Sequence, residues 1–411
     1  MDIAKVPSQI WIVGISSMLI TLSAAMFFGV FGLFLAAIGV STASIGAIEG
    51  VVEGISYVLK VVSGIVSDYI KKRKLILSIG SFCTALSKVI AALFVSSNAV
   101  VIGRIIDRIG NGLQATPRDA IVSDYAPSKI VGTCFGIRQC LGTSGSVLGA
   151  LLLSVLLGTF QNNFRLVFTI AGAFALSAFV LVALCVHDVK KVEPLSDAAE
   201  YEPPMAPRFL FKNVLELDRV YWTLMIAVAI FMSCRISETL IILYAKKTFS
   251  LEDSKATRVM LVYNIFAALA AYWTGRLGDK RESTRLMIIG TLITTASITF
   301  MGLATIYEVF LGGVMLWGVQ IGVMQNVFCS EISHIVSKNS RGTGFGIFYL
   351  ITATSILIAN VVCGRLMNNG GARAFAYCAV ASFISFIAIL LLSRSKVWVN
   401  RRISMSNPEN N

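Results

Sequence analysis

Long apolar runs, separated by short polar and basic segments, make up most of this chain. A transmembrane helix needs about 20 mostly apolar residues, and each run comes close to that length. The runs lie at residues 10–38, 44–66, 75–95, 98–116, 131–157, 164–187, 220–245, 258–276, 286–304, 307–334, 343–367 and 373–393. The pattern therefore predicts twelve membrane-spanning helices.

The composition supports a membrane protein. Hydrophobic residues make up 56% of the 411 residues and charged residues 14%, whereas soluble domains average about 45–50% and about 25%. These values exclude a soluble enzyme and a disordered chain. The eight cysteines fall in or beside apolar runs, which indicates buried thiols and not a disulfide framework.

The basic residues set the predicted topology. The net charge is +13, but the cations form short clusters between apolar runs, which favours a membrane over a nucleic-acid partner. With the N-terminus in the cytoplasm, 22 of the 35 Lys and Arg residues lie on the inner side and six in outer connections. We therefore expect a multi-pass protein of the cell inner membrane with both termini cytoplasmic.

One long connection divides the chain into halves. It covers residues 188–218 and contains four of the eight prolines. We predict an N-terminal six-helix bundle at 1–187, a cytoplasmic linker at 188–218, a C-terminal six-helix bundle at 219–394 and a cytoplasmic tail at 395–411.

Two short motifs recur at nearly the same offset. The sequence Gly-Thr-Cys-Phe-Gly-Ile from residue 132 returns as Gly-Thr-Gly-Phe-Gly-Ile 210 residues later. The pair Gly64 and Asp68 returns as Gly275 and Asp279, 211 residues later. These matches indicate two parallel repeats, and a substrate of such a fold binds near the midplane between them.

These motifs resemble those of the major facilitator superfamily. The stretch from Gly64 to Arg73 is similar to the family's G-x-x-x-D-[RK]-x-G-[RK]-[RK] loop, although Tyr69 and Lys71 depart from it. The stretch from Asp107 to Ala126 resembles a sub-branch sequence, D-R-x-G-K-G-x-R-x-x-P-R-D-A. The resemblance implies an all-α integral membrane fold, with twelve transmembrane helices in two pseudo-symmetric six-helix bundles.

The resemblance also implies a cytoplasmic gate made by Gly64, Asp68, Gly275 and Asp279. Each aspartate would face the N-terminus of a helix in the other half, where a carboxylate is favourable by about 0.3–1 kcal/mol. The alternative is an ordinary helix cap in a basic loop that only sets topology.

Ionisable residues inside the predicted spans are the candidate site, because such residues are costly in a membrane and usually functional. Glu49, Glu53 and Lys60 share one stripe of the second span. Glu49 and Glu53 are like charges at i, i+4, so one of them is expected to hold a proton. Glu53 lies nearer the midplane and is the favoured carrier.

The N-terminal half contains more buried cations than buried acids, which predicts an anionic solute. Its spans contain five cations but only three acids, Glu49, Glu53 and Asp107. The planar guanidinium group of arginine is suited to bind carboxylates and phosphates. The predicted substrate-binding residues are Arg104, Arg108, Arg138, Lys60 and Arg235. The predicted proton-coupling residues are Glu53, Asp107, Glu49 and Glu238. These charges could instead only hold helices in register.

The predicted function is a secondary transporter, working as a monomer, that moves a small anionic solute by proton-coupled alternating access. Gly136, Gly145 and Gly149 resemble the start of a glycine motif associated with antiporters, but Ala150, Leu153 and Ser154 depart from the rest of it. This departure slightly favours uptake over export. No phosphate-binding G-x-x-x-x-G-K-[ST] or metalloprotease H-E-x-x-H occurs, so we expect no enzyme activity, cofactor or metal. The alternatives are a proton-driven multidrug exporter and a non-transporting receptor or scaffold.

Overall fold

All regular structure in the described part of the chain is α-helical. The computed structural model describes residues 6–70, 72–127, 130–160, 163–188, 217–277, 283–324, 327–336, 341–368, 370–395 and 398. Most of the predicted linker and tail, together with Asp279, lies outside the described residues.

The helices correspond to the twelve predicted apolar runs. They are α1 (Ser8–Ala37), α2 (Thr42–Ile70), α3 (Arg73–Phe94), α4 (Ser97–Tyr125), α5 (Val131–Thr159), α6 (Phe164–Cys185), α7 (Arg219–Met232), α8 (Glu238–Thr248), α9 (Asp253–Ala256), α10 (Arg258–Leu277), α11 (Ser283–Leu303), α12 (Tyr307–Met324), α13 (Val327–Ile335), α14 (Arg341–Asn368) and α15 (Ala372–Arg394). Eight of them, α1, α3, α5, α6, α11, α12, α14 and α15, are long and apolar enough to cross a membrane.

The predicted seventh span is not one continuous helix, and in this respect the prediction is wrong. Helix α7 ends at Met232, and α8 begins at Glu238. The intervening backbone is irregular, with amide-to-carbonyl bonds from Arg235 to Met232 and from Ile236 to Cys234. Ser237 caps α8, because its hydroxyl accepts a hydrogen bond from the Leu240 amide at 3.3 Å.

Two glycines make the tight turns that reverse the chain between neighbouring spans. Gly39 follows α1 with φ of 86°, and Gly370 follows α14 with φ of 108°. Positive φ values of this size are accessible to glycine at little cost and strained for residues with a Cβ. Each turn lets two long helices follow one another through a connection of only a few residues.

The described helices form two compact units. Unit 1 comprises residues 1–25, 55–149 and 168–215, and unit 2 comprises residues 26–54, 150–167 and 216–411. Four helices, α1, α2, α5 and α6, each contribute one part to unit 1 and the other part to unit 2. The predicted bundle boundaries at residues 187 and 219 stay a prediction.

Close backbone contact holds α3 against α4 in unit 1. A Cβ built on Gly80 would lie 2.8 Å from the Gly110 carbonyl oxygen, and one built on Gly110 would lie 2.6 Å from that of Gly80. Neither position has room for a larger residue without a shift of the helices. Small residues that let backbones approach are the usual means of packing helices within a membrane.

Candidate functional site: two buried charge clusters

Three cations surround one carboxylate in the interior of unit 1; we call Lys88, Arg104, Asp107 and Arg108 the cationic cluster. Lys88 pairs with Asp107 Oδ1. Arg108 Nη2 lies 2.8 Å from Asp107 Oδ2, and Arg104 Nη1 lies 3.6 Å from the same oxygen. Exposure is at most 1% for Lys88, Arg104 and Asp107 and 8% for Arg108. The four groups carry a net charge of +2 when ionised.

The packing of α3 on α4 explains how this cluster assembles. Arg104, Asp107 and Arg108 share one face of α4, as the helical period requires. Lys88 comes from α3, two turns beyond the place where Gly80 touches Gly110. The helical period predicts that Arg104, Asp107 and Arg108 lie together, but the sequence did not show that Lys88 reaches the same carboxylate.

Arg138 lies in a second cationic environment of unit 1. Its Nη2 is 3.4 Å from Asp119 Oδ1, and Arg118 Nε is also 3.4 Å from that oxygen. Among the described residues, Arg138 Nε has no hydrogen-bond partner. A buried guanidinium N–H of this kind can donate a hydrogen bond to a carboxylate or phosphate oxygen.

Lys60 has an aromatic neighbour. Its Nζ lies 4.3 Å from the centroid of the Tyr57 ring on the same helix, a cation–π distance. The carbonyl of Lys60 accepts a hydrogen bond from Thr116 Oγ1 at 2.8 Å, which ties α2 to α4. Lys60 belongs to unit 1, whereas Glu49 and Glu53 belong to unit 2.

Three carboxyl groups and one guanidinium lie close enough in unit 2 to interact electrostatically; we call Glu49, Glu53, Arg235 and Glu238 the acidic cluster. The charges of Arg235, Glu53 and Glu49 all act on Glu238. Glu49 has no exposed surface, whereas the other three are partly buried. Arg235 lies in the irregular segment between α7 and α8, and Glu238 is the first residue of α8.

The break between α7 and α8 is stabilised from α14. Asn360 Oδ1 accepts a hydrogen bond from the Ser237 amide at 2.9 Å, and Asn360 Nδ2 donates to the Ile356 carbonyl at 2.9 Å. Inside a membrane, irregular backbone is tolerated only where its polar groups find partners or line a cavity. Asn360 therefore supplies one of the bonds that allow Arg235 and Glu238 to leave the helical path.

The predicted gate residues are described only in part. Gly64 lies in α2, and a Cβ on it would meet Thr116 Cγ2 at 3.0 Å, so this glycine packs against α4. Gly275 lies in α10. The side chain of Asp68 and the whole of Asp279 lie outside the described residues, so their gating role stays a prediction.

Sequence reasoning missed three polar residues that organise the acidic cluster. These are Ser237, Thr239 and Asn360, which cap α8, contact Glu49 and support the break. The available signal was the run Ser-Cys-Arg-Ile-Ser from residue 233, in which two serines flank an arginine inside an apolar span. Serines favour caps and turns over helix interiors, so this run marks a potential break.

The sequence profile of the Major Facilitator Superfamily matches residues 13–330 and 239–405. The chain belongs to the major facilitator superfamily. Its fold is likewise that of the family: the solved structure of the nucleoside transporter NupG superposes with a TM-score of 0.75 at 16% identity, covering 93% of this chain and 99% of that one. The predicted all-α integral membrane fold is confirmed.

Two relatives are similar in sequence to this chain, one over nearly its whole length and one over half of it. An uncharacterised MFS-type transporter of Methanocaldococcus jannaschii is 25% identical over 398 residues, covering 94% of this chain and 96% of the relative. The quinolone resistance protein NorA of Staphylococcus aureus is 23% identical over 206 residues, which is 50% of this chain and 51% of NorA.

Membership of the major facilitator superfamily makes this chain a multi-pass membrane transporter and not an enzyme. The expectation of a transporter that handles small molecules in a lipid bilayer is confirmed at that level. The family supports the transporter interpretation and not the alternative of a non-transporting receptor or scaffold.

Proposed function

We propose that this facilitator moves a small anionic solute across the inner membrane in exchange with, or together with, protons. The protein would work as a monomer by alternating access, with both termini in the cytoplasm. The observation that carries the proposal is the cationic cluster, in which three buried cations converge on one carboxylate, because a concentration of cations with two guanidinium groups suits the binding of an anion.

The exposure of each cation indicates which of them would contact the solute. Arg108 is the member of the cationic cluster with measurable side-chain exposure, about 10%, so it is the member that would contact the solute in this conformation. Lys88 and Arg104 have no exposed surface and would act through their charge. Arg138, with its buried Nε donor, would provide a second contact for a carboxylate or phosphate group.

The acidic cluster would carry the protons. It brings Glu49, Glu53 and Glu238 within electrostatic reach of one another, and acidic groups inside membrane spans are the usual carriers of protons in transporters. Asp107 is less suited to this task, because three cations hold it in the ionised form. Proton coupling is therefore assigned to Glu49, Glu53 and Glu238, with Arg235 as their counter-ion.

Proton flux in proteoliposomes tests the proposal. The purified protein is reconstituted with a pH-sensitive dye in the lumen, and small carboxylates and organic phosphates are added outside. We expect an anion-dependent pH change that Arg108→Gln reduces at least tenfold. Arg219→Gln, an exposed arginine at the start of α7, is the matched control and should behave as the parent.

A multidrug exporter is the second candidate, favoured by the half-length similarity to NorA. It predicts that lipophilic cations or quinolones, and not anions, drive the proton flux in the same vesicles. It also predicts that neutralising Arg108 leaves that flux unchanged. A response to cations alone would contradict the anion proposal.

A further inference from the structure

A cavity opens at one end of unit 2, beside the first residue of α2 and the last turns of α8 and α14. We call it the outer cavity, because these helix ends face outward in the predicted topology; it is lined mainly by Thr42, Leu243, Tyr244, Lys247, Thr248 and Met367. Its volume is about 220 Å³, which is below the about 300–1,000 Å³ of pockets for drug-sized ligands. The outer cavity therefore suits a small molecule.

The polar side chains of the outer cavity have no partners in the described part of the chain. Lys247 forms no ion pair there, and the hydroxyls of Thr42, Tyr244 and Thr248 form no hydrogen bond there. None of the described residues that line the cavity is acidic. An ammonium group and hydroxyl groups can all donate hydrogen bonds to an anion. The cavity therefore offers a positive charge and several donors to a negatively charged acceptor.

Lys246 and Lys247 follow one another in α8 but differ in their surroundings. Lys246 pairs with Asp253, which is 5% exposed, so the charge of this lysine is already compensated. Lys247 is exposed and lines the outer cavity. A cation is favourable in the last turn of any helix, so the charge of Lys247 points to a ligand only together with the hydroxyls beside it.

The N-terminus of α2 adds to the positive potential at the cavity. The carbonyl and the hydroxyl of Ser41 accept hydrogen bonds from the amides of Ile45 and Ser44. The amides of Thr42 and Ala43 have no such partner among the described residues. Free amides and the positive end of the helix dipole favour an anion at this place. The cation of α8 and the N-terminus of α2 therefore act in the same direction.

One wall of the outer cavity is apolar and is held in place by packing. A Cβ on Gly371 would overlap the Tyr244 ring, so the glycine makes room for this ring. The same ring packs edge-to-face on Phe375, with the two ring centroids 4.7 Å apart. Leu243 and Met367 contribute further apolar surface. A ligand with a short apolar part beside its anionic group would find both kinds of surface already formed, which favours binding.

We propose that the outer cavity binds a small organic anion, with Lys247 as its counter-ion and the hydroxyls of Thr42 and Thr248 as hydrogen-bond donors. The residues that line the cavity belong to unit 2, whereas the cationic cluster belongs to unit 1. The cavity is therefore a second anion site, which collects the solute at the outer surface, where uptake begins. The site rests on the proposed function for the class of its solute, but binding to it can be measured without transport.

Protection of an introduced thiol tests this site. Thr248→Cys places a thiol at the cavity, and the purified protein is reconstituted in phosphatidylcholine vesicles and treated with a membrane-impermeant maleimide. The protein without this substitution gives the background from native thiols. Benzoate added outside should slow the labelling of the new thiol, whereas benzamide, which has nearly the same shape but no charge, should leave the labelling rate unchanged.

Two lysine variants of the Thr248→Cys protein separate binding in the cavity from a general effect of benzoate. Lys247→Gln should raise the half-protecting benzoate concentration about fivefold, which corresponds to the loss of one exposed ion pair. The matched control is Lys255→Gln, the same substitution at an exposed lysine that does not line the cavity, and it should keep the protection of the parent.

Three results would overturn the proposal: equal protection by benzoate and benzamide, no protection by benzoate or by phenyl phosphate, or equal effects of the two lysine variants. Vesicles that contain phosphatidylglycerol distinguish a soluble anion from a lipid head group. If this lipid alone protects the thiol and benzoate adds nothing, the cavity binds lipid and the proposal is wrong. Protection by benzoate without anion-dependent proton flux would refute only the proposed transport, whereas flux without protection would refute only the outer cavity as a binding site.

Discussion

Neutralising the single carboxylate of the cationic cluster tests how much the buried ion pairs contribute to stability. Asp107 pairs with Lys88, Arg104 and Arg108, and its side chain is 1% exposed. Asp107→Asn leaves the size of the side chain almost unchanged but removes the charge that these cations face. Loss of one partner from a buried ion pair costs about 3–5 kcal/mol, so we expect a loss of stability of that size.

Asp119→Asn is the matched control for this prediction. Asp119 lies on the same helix and also pairs with arginines, Arg118 and Arg138, but its side chain is 44% exposed. Exposed ion pairs contribute about 0–1 kcal/mol. The two variants therefore make the same chemical change, one in the interior and one near solvent.

Thermal unfolding of the purified protein in detergent, followed by tryptophan fluorescence, measures both variants. The Asp107→Asn protein should unfold several degrees below the parent, and the Asp119→Asn protein within about a degree or two of it. Adding Lys88→Met to Asp107→Asn should recover part of the loss, because it removes one uncompensated cation. Equal losses of stability for the two single variants would refute the view that burial makes the ion pairs of Asp107 more important for stability than those of Asp119.

Two further predictions concern backbone contacts. Gly80→Ala should destabilise the protein by about 1–3 kcal/mol, because its methyl group would press on the Gly110 carbonyl. The control Gly142→Ala, where a Cβ meets no atom within 4 Å, should change the unfolding temperature little. Equal effects of the two variants would contradict close packing of α3 on α4. Ser237→Ala removes the cap of α8 and should lower the free energy of unfolding by about 1 kcal/mol in the same assay. Ser237→Asn, which keeps a capping side chain, should retain most of the stability of the parent. If the asparagine variant is as unstable as the alanine variant, Ser237 does not act as a cap.

Sequence alone predicted the helices well, because the length and hydropathy of a span are local properties. The run from Ser233 to Ser237 marks a potential break, but the sequence does not show that the break forms, since its supporting partner, Asn360, is 123 residues away. Likewise, the shared face of Arg104, Asp107 and Arg108 follows from the helical period. The pairing of Lys88 depends on how α3 packs against α4, which no single helix reveals.

The grouping of the charged residues into two clusters was also beyond the sequence. Glu49, Glu53 and Lys60 fall on one stripe of α2, but the structure assigns the two acids to one compact unit and the lysine to the other. The acids join Arg235 and Glu238, which are nearly 200 residues away. The sequence also did not reveal that the two acids differ in burial: Glu49 has no exposed surface, whereas Glu53 is partly buried.

The interrupted seventh span has a consequence for how the protein is made. Its parts contain 14 and 11 residues, so at about 1.5 Å per residue neither reaches across about 30 Å of hydrocarbon. The Ser237 amide finds its acceptor on a helix that the ribosome produces 123 residues later. At about 5–20 residues per second this is a delay of roughly 6–25 seconds. During that interval the nascent segment has to be sheltered by the insertion machinery or by earlier helices.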